Sequence, residues 1–110
     1  MDALQQLNDT LIARKLDDPK DSYVASLYHG GVNKIAQKVG EEATEVVLAA
    51  KDASTNAGQK PALVAEVADL WFHSLVLLNH LDLSVQDVLD ELQRRTGISG
   101  HTEKANRAAD

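Results

Sequence analysis

Cysteine is absent from the 110-residue chain, which removes disulfides, thiolate nucleophiles, iron–sulfur clusters and Cys-based zinc sites together. Any metal must then be held by oxygen or histidine. Aromatic residues make up only 4%, so the core is expected to be aliphatic. Proline occurs twice, and both positions, Pro19 and Pro61, fall between apolar segments. Positive charge is in deficit: 11 Lys+Arg against 17 Asp+Glu give a net charge of -6. That balance argues against general affinity for nucleic acid or an anionic membrane, but leaves room for local lysines to hold phosphate. Long apolar runs are missing as well. The stretch from Leu70 to Leu78 is broken by His73 and Ser74 and falls short of the ~18 residues of a membrane span. Residues 1–6 lack the basic and apolar regions of a signal peptide, so the expected location is the cytoplasm.

What is present is helical periodicity. Leu4, Leu7, Leu11 and Ile12 recur at helical spacing up to Asp17-Asp18-Pro19. Ser22 can cap a short helix through Val24, Ala25, Leu27 and Tyr28, which Gly30-Gly31 would close. Ile35, Val39, Ala43, Val46 and Ala50 mark a long helix from Val32 to about Asp52. Residues 54–61 read as a loop, with Pro61 in the first turn of the next helix. That helix, to about Leu81, is apolar around nearly its whole circumference, as in a central helix surrounded by others. Ser84 and Asp87 have capping-box form before a last helix ending at Gly97. With no alternating strand pattern, the expectation is an all-α bundle of four to five helices in one domain, residues 1–97. Residues 98–110 form a polar tail.

The chemistry lies in the third and fourth segments. Residues three apart on a helix are neighbours, so Glu42 with Glu45, and Glu66 with Asp69, each form a carboxylate pair. The twenty residues between Glu45 and Glu66 allow the second helix to return antiparallel, so that the pairs face each other. Glu41, Glu42 and Glu45 by themselves read as a solvated face. Glu66 and Asp69 do not, because an unpaired carboxylate on so apolar a helix is costly. A hard divalent cation such as Mg²⁺ would compensate them and recruit phosphate oxygens. Lys38 and Lys34 lie one and two turns before Glu42, and Lys51 lies beyond Glu45; carboxylates for metal with lysines for phosphate suggest phosphoanhydride chemistry. Both Lys34 and Lys38 could equally be partners of Glu41, Glu42 or Gln37 on their own helix. His73, one turn past Asp69, reads as a hydrogen-bonded core histidine before it reads as a ligand. Trp71 and Phe72 read as packing residues.

The pattern Glu41-Glu42-x-x-Glu45 followed by Glu66-x-x-Asp69 resembles the metal-binding signature of the all-α nucleoside-triphosphate pyrophosphohydrolases. Ser22-Tyr23, the run from Lys38 to Val47 and the run from Glu66 to His73 narrow the resemblance to the phosphoribosyl-ATP pyrophosphohydrolase family of histidine biosynthesis, over about Leu4 to Arg107. Trp71 departs from the smaller apolar residue or Tyr common there. The resemblance implies Mg²⁺-dependent hydrolysis of 1-(5-phosphoribosyl)-ATP to 1-(5-phosphoribosyl)-AMP and pyrophosphate. Glu42, Glu45, Glu66 and Asp69 would bind metal, and Glu41 would be a further ligand or the group that activates water. Lys34, Lys38, Lys51 and His73 are the candidate substrate contacts, with Lys38 nearest the phosphates. The alternatives are a house-cleaning hydrolase of nucleoside triphosphates and a non-catalytic helical dimerisation module. A di-iron site is disfavoured, because neither Glu42 nor Glu66 has a histidine three residues on. A homodimer is expected, since so few helices cannot cover one that is apolar all round.

Overall fold

The computed structural model describes residues 2–96, and five helices account for most of them: α1 (Ala3–Ala13), α2 (Tyr23–Gly30), α3 (Val32–Thr55), α4 (Lys60–His80) and α5 (Val85–Arg95). No strand occurs among the described residues. The expected polar tail and the boundary at Gly97 lie outside them.

Local chemistry sets the helix ends. Asp2 accepts from the Gln5 amide at 2.8 Å, Ser22 accepts from the Ala25 amide at 3.1 Å, and Ser84 and Asp87 form the reciprocal capping box. Between α2 and α3 the chain turns on a single residue, Gly31, whose φ of +86° is open only to glycine at its extended ψ. The loop expected over 54–61 is largely helical instead. Ser54 donates to the Lys51 carbonyl at 2.7 Å and Thr55 to that of Asp52 at 3.4 Å, so their hydroxyls are spent inside α3. Asn56 then accepts from the Gly58 amide at 2.9 Å to start one 3-10 turn, Ala57–Gln59. Composition marks polarity, but this polarity is satisfied locally.

The short connection makes α3 and α4 an antiparallel hairpin, its 24- and 21-residue arms about 36 and 32 Å long. The buried core, Leu11, Leu27, Ile35, Leu75, Val76 and Val85, sits at one end of it. There α1, α2 and α5 close around the start of α3 and the C-terminal half of α4. The expectation of a fully surrounded central helix therefore holds for only half of α4. Toward the hairpin tip α4 packs on α3 alone, and Val64 is 70% exposed. The radius of gyration, 16.4 Å, exceeds the ~13 Å of a compact chain of this size because the hairpin projects. By length and composition the segment Ala57–His80 would suffice to cross a membrane, which corrects the view that no segment comes near a span. Its C-terminal half contributes Leu75 and Val76 to the core described here, and Glu66 and Asp69 on it meet Glu42 of α3.

Buried polar groups lock the closed end. Asn8 accepts from Asn79 Nδ2 and from the Val85 amide, both at 3.2 Å, tying α1 to α4 and α5. Lys15 donates to the Asn79 carbonyl at 2.6 Å, satisfying a C-terminal group of α4. Replacing Asn8 by Leu should strand the Val85 amide and leave Asn79 Nδ2 only the Leu75 carbonyl as acceptor, lowering stability by ~1–3 kcal/mol in urea unfolding; an unchanged midpoint would show that the network contributes nothing.

Candidate metal centre and its surroundings

Glu42 on α3 and Glu66 and Asp69 on α4 each place a carboxylate oxygen within 4.8 Å of the other two. Glu42 and Glu66 are half-buried and Asp69 is exposed, so the cluster opens on one side to solvent. The antiparallel hairpin produces this convergence: Glu42 lies midway along its arm, opposite the turn carrying Glu66 and Asp69. Glu45, one turn on from Glu42, is outside the tight trio but near enough for its charge to act on Glu66.

The electrostatics are one-sided. Burial pushes the Glu66 carboxyl above the usual carboxylate range, and the charges of Asp69, Glu45 and Glu42 push it further the same way. Among the described residues no cation relieves it. Lys38, the nearest ammonium on α3, lies 3.1 Å from Glu41 and 3.8 Å from Glu42. Its bond to Glu41 raises its pKa further. Glu41 is not one of the trio; it accepts from Gln37 at 2.9 Å and from Lys38 at 3.1 Å. Those bonds depress its pKa, which makes it a weak proton acceptor in this arrangement.

The other candidates are more dispersed. Lys34 is exposed and packs its Cβ and Cγ against Gly30, leaving 3.1 Å to where a Cβ would sit there. Lys51 is exposed beyond Glu45, toward the hairpin tip. His73 is buried, with Nδ1 2.8 Å from the Asp69 carbonyl and Nε2 2.9 Å from the Tyr23 hydroxyl. Both ring nitrogens are engaged inside the protein, so the ring is a hydrogen-bonded core histidine here and presents no free nitrogen to a substrate. Trp71 is half-exposed on a separate apolar groove lined also by Leu4, Leu78, Val88 and Leu92, so its departure from the family pattern does not touch the carboxylates.

Three neighbours, Asp52, Gln59 and Tyr23, were not singled out as site residues from the sequence. Asp52 and Gln59 line a groove of about 290 Å³ with Glu45, Leu48, Ala49, Ala62 and Glu66. Asp52 had a signal, since it follows Glu45 by two helical turns on the same face. Tyr23 had none beyond its place beside the capping Ser22, because its partner is fifty residues away.

Residues 4–96 match the family model described as phosphoribosyl-ATP pyrophosphohydrolase. The chain belongs to that family. It is 59% identical over 107 residues to a phosphoribosyl-ATP pyrophosphatase of Hydrogenovibrio crunogenus, covering 97% of this chain and 94% of that one. With a phosphoribosyl-ATP pyrophosphatase of Burkholderia multivorans it is 56% identical over 106 residues, covering 96% and 87%. In this family member the whole acidic hairpin lies inside the matched region.

The raised Glu66 carboxyl has a consequence for metal-free protein. Between the ordinary carboxylate pKa and the raised one, the folded chain holds a proton that the unfolded chain has lost, so stability falls as pH rises through that window. In EDTA at pH 7, Glu66→Gln should therefore melt above wild type, and the difference should close below about pH 4. A lower midpoint at pH 7 would mean that Glu66 belongs to a stabilising ion pair.

Proposed function

We propose that the chain hydrolyses 1-(5-phosphoribosyl)-ATP to 1-(5-phosphoribosyl)-AMP and pyrophosphate, the second step of L-histidine biosynthesis, at a Mg²⁺ site built from Glu42, Glu66 and Asp69. The observation that carries the reading is the trio of carboxylates with no cation among the groups acting on Glu66, in a chain of this family. The donor set fits the ion: it is all oxygen, as a hard cation prefers, and twice the Mg–O distance is about 4.2 Å. Three oxygens within 4.8 Å of one another can close on one ion with small rotamer changes. The open side leaves room for water and substrate oxygens.

Bound there, Mg²⁺ supplies neutralisation of charge on the leaving pyrophosphate and a bound water of lowered pKa. Glu45, whose charge acts on Glu66, would join as a fourth ligand. Lys38 is held at the rim by Glu41 and Glu42, and would exchange these partners for a phosphate oxygen when substrate arrives. Glu41, with its depressed pKa, would orient Lys38 and the attacking water rather than store the proton. Lys34 and Lys51, exposed at opposite ends of α3, would steer the anionic substrate rather than touch the reacting phosphorus.

The chain would work as a homodimer. Val47, Leu48 and Val64 are 54%, 51% and 70% exposed on the projecting hairpin, and a second copy would cover an apolar surface that one chain leaves bare. Sedimentation at tens of micromolar should give twice the chain mass.

The substrate test is incubation with phosphoribosyl-ATP, ATP and a deoxynucleoside triphosphate, with and without Mg²⁺. Pyrophosphate and phosphoribosyl-AMP should form from the first, only with Mg²⁺, and Glu42→Gln should lower turnover by orders of magnitude. Comparable cleavage of the simple triphosphates would favour the house-cleaning alternative. Equal turnover in EDTA would remove the metal from the reading.

A further inference from the structure

α4 carries two of the three converging carboxylates, yet little in its apolar surface tells it how to face. A helix with one apolar stripe is held at a fixed rotation by burial of that stripe. A helix that is apolar nearly all round can turn about its axis and exchange one leucine for another at small cost. Rotation matters here because a carboxylate stands about 6 Å from the helix axis, so a turn of roughly 20° moves it about 2 Å. That shift is comparable to a metal–oxygen bond, and Mg²⁺ tolerates little departure from octahedral geometry. Something directional must therefore fix the rotation.

Near the acidic turn, the structure offers one such contact. His73 is 6% exposed and lies one turn past Asp69, whose carbonyl it meets through Nδ1 at 2.8 Å. A carbonyl can only accept, so Nδ1 carries the hydrogen and Nε2 of the neutral ring accepts. The Tyr23 hydroxyl, 2.9 Å away, is then the donor. The contact joins the first turn of α2 to the turn of α4 that bears Asp69, and Phe72 and Tyr23 flank the ring edge-on at 5.2 and 5.9 Å. The other buried polar tie on α4, Asn79 to Asn8, lies nearly two turns farther from the carboxylates.

We infer that the Tyr23–His73 hydrogen bond is a positioning contact: it sets the rotation of α4 about its axis, and with it the place of Glu66 and Asp69 opposite Glu42. The inference rests on the metal reading above. A polar pair of this kind, with His73 buried and Tyr23 54% exposed, selects one arrangement among several apolar ones rather than adding much stability.

Stability and positioning separate in a double variant. Tyr23→Phe alone leaves His73 Nε2 buried without a donor and should lower the thermal midpoint. Tyr23→Phe with His73→Leu removes both polar partners, and the midpoint in EDTA should return toward wild type. Mn²⁺ affinity, read by electron paramagnetic resonance on the full chain without substrate, should stay roughly tenfold or more below wild type in both variants. Wild-type affinity in the double variant, or recovery of affinity in step with the midpoint, would overturn the inference and leave the metal reading standing. A wild-type protein that binds no Mn²⁺ would overturn both.

Discussion

Like charges crowd together only where a fold forces them to. Here the force is the length and closeness of the α3–α4 hairpin, which brings oxygens of Glu42, Glu66 and Asp69 within 4.8 Å of one another, with burial adding to their mutual repulsion at Glu66. The rest of the molecule can be understood as what makes that arrangement affordable. The turn at Asn56 is short enough to keep the arms in register, and the closed end of the bundle supplies the buried aliphatic core that holds them together. A divalent cation would convert the repulsion into attraction, so the strain in the free protein and the proposed affinity of the site would have one origin.

The division of labour along the hairpin follows from this. At its closed end Leu75, Val76 and Ile35 are buried, and among the described residues no buried polar side-chain atom lacks a partner. Its projecting end leaves Val47, Leu48 and Val64 bare, and the acidic cluster lies between the two. Placing a site at the edge of a core gives it rigid backbone on one side and access for a nucleotide on the other. Lys38 fits the same logic, since it is only partly exposed and holds two carboxylates in the absence of anything better. Its ammonium is thereby kept charged and close to where a phosphate would stand.

Much of this was legible in the sequence because the signals are local. Capping residues at Ser22 and Ser84, the positive φ at Gly31 and the three-residue carboxylate spacing are each fixed within one or two helical turns. The approach of Glu42 to Glu66 and Asp69 was legible too, because a twenty-residue separation leaves a helical chain few ways to return; Glu45, expected with them, stays outside the trio. Less legible was whatever depends on partners far along the chain. Tyr23 and His73 meet across fifty residues, and nothing near either one announces it. The loop over residues 54–61 was misread because Ser54 and Thr55 spend their hydroxyls on α3 itself. The apolar circumference of α4 was legible as a pattern, but it indicates only that a surface needs covering; in one chain half of it is left uncovered.

The central claim is that the three carboxylates which the hairpin brings together hold a divalent ion between α3 and α4. It is tested most directly by anomalous scattering from crystals grown with Mn²⁺. The account predicts a peak bounded by Glu42, Glu66 and Asp69, with Glu45 close by and the His73–Tyr23 contact intact. A fully ordered site in which these carboxylates keep their positions with no peak between them, or a peak held by other residues, would contradict it.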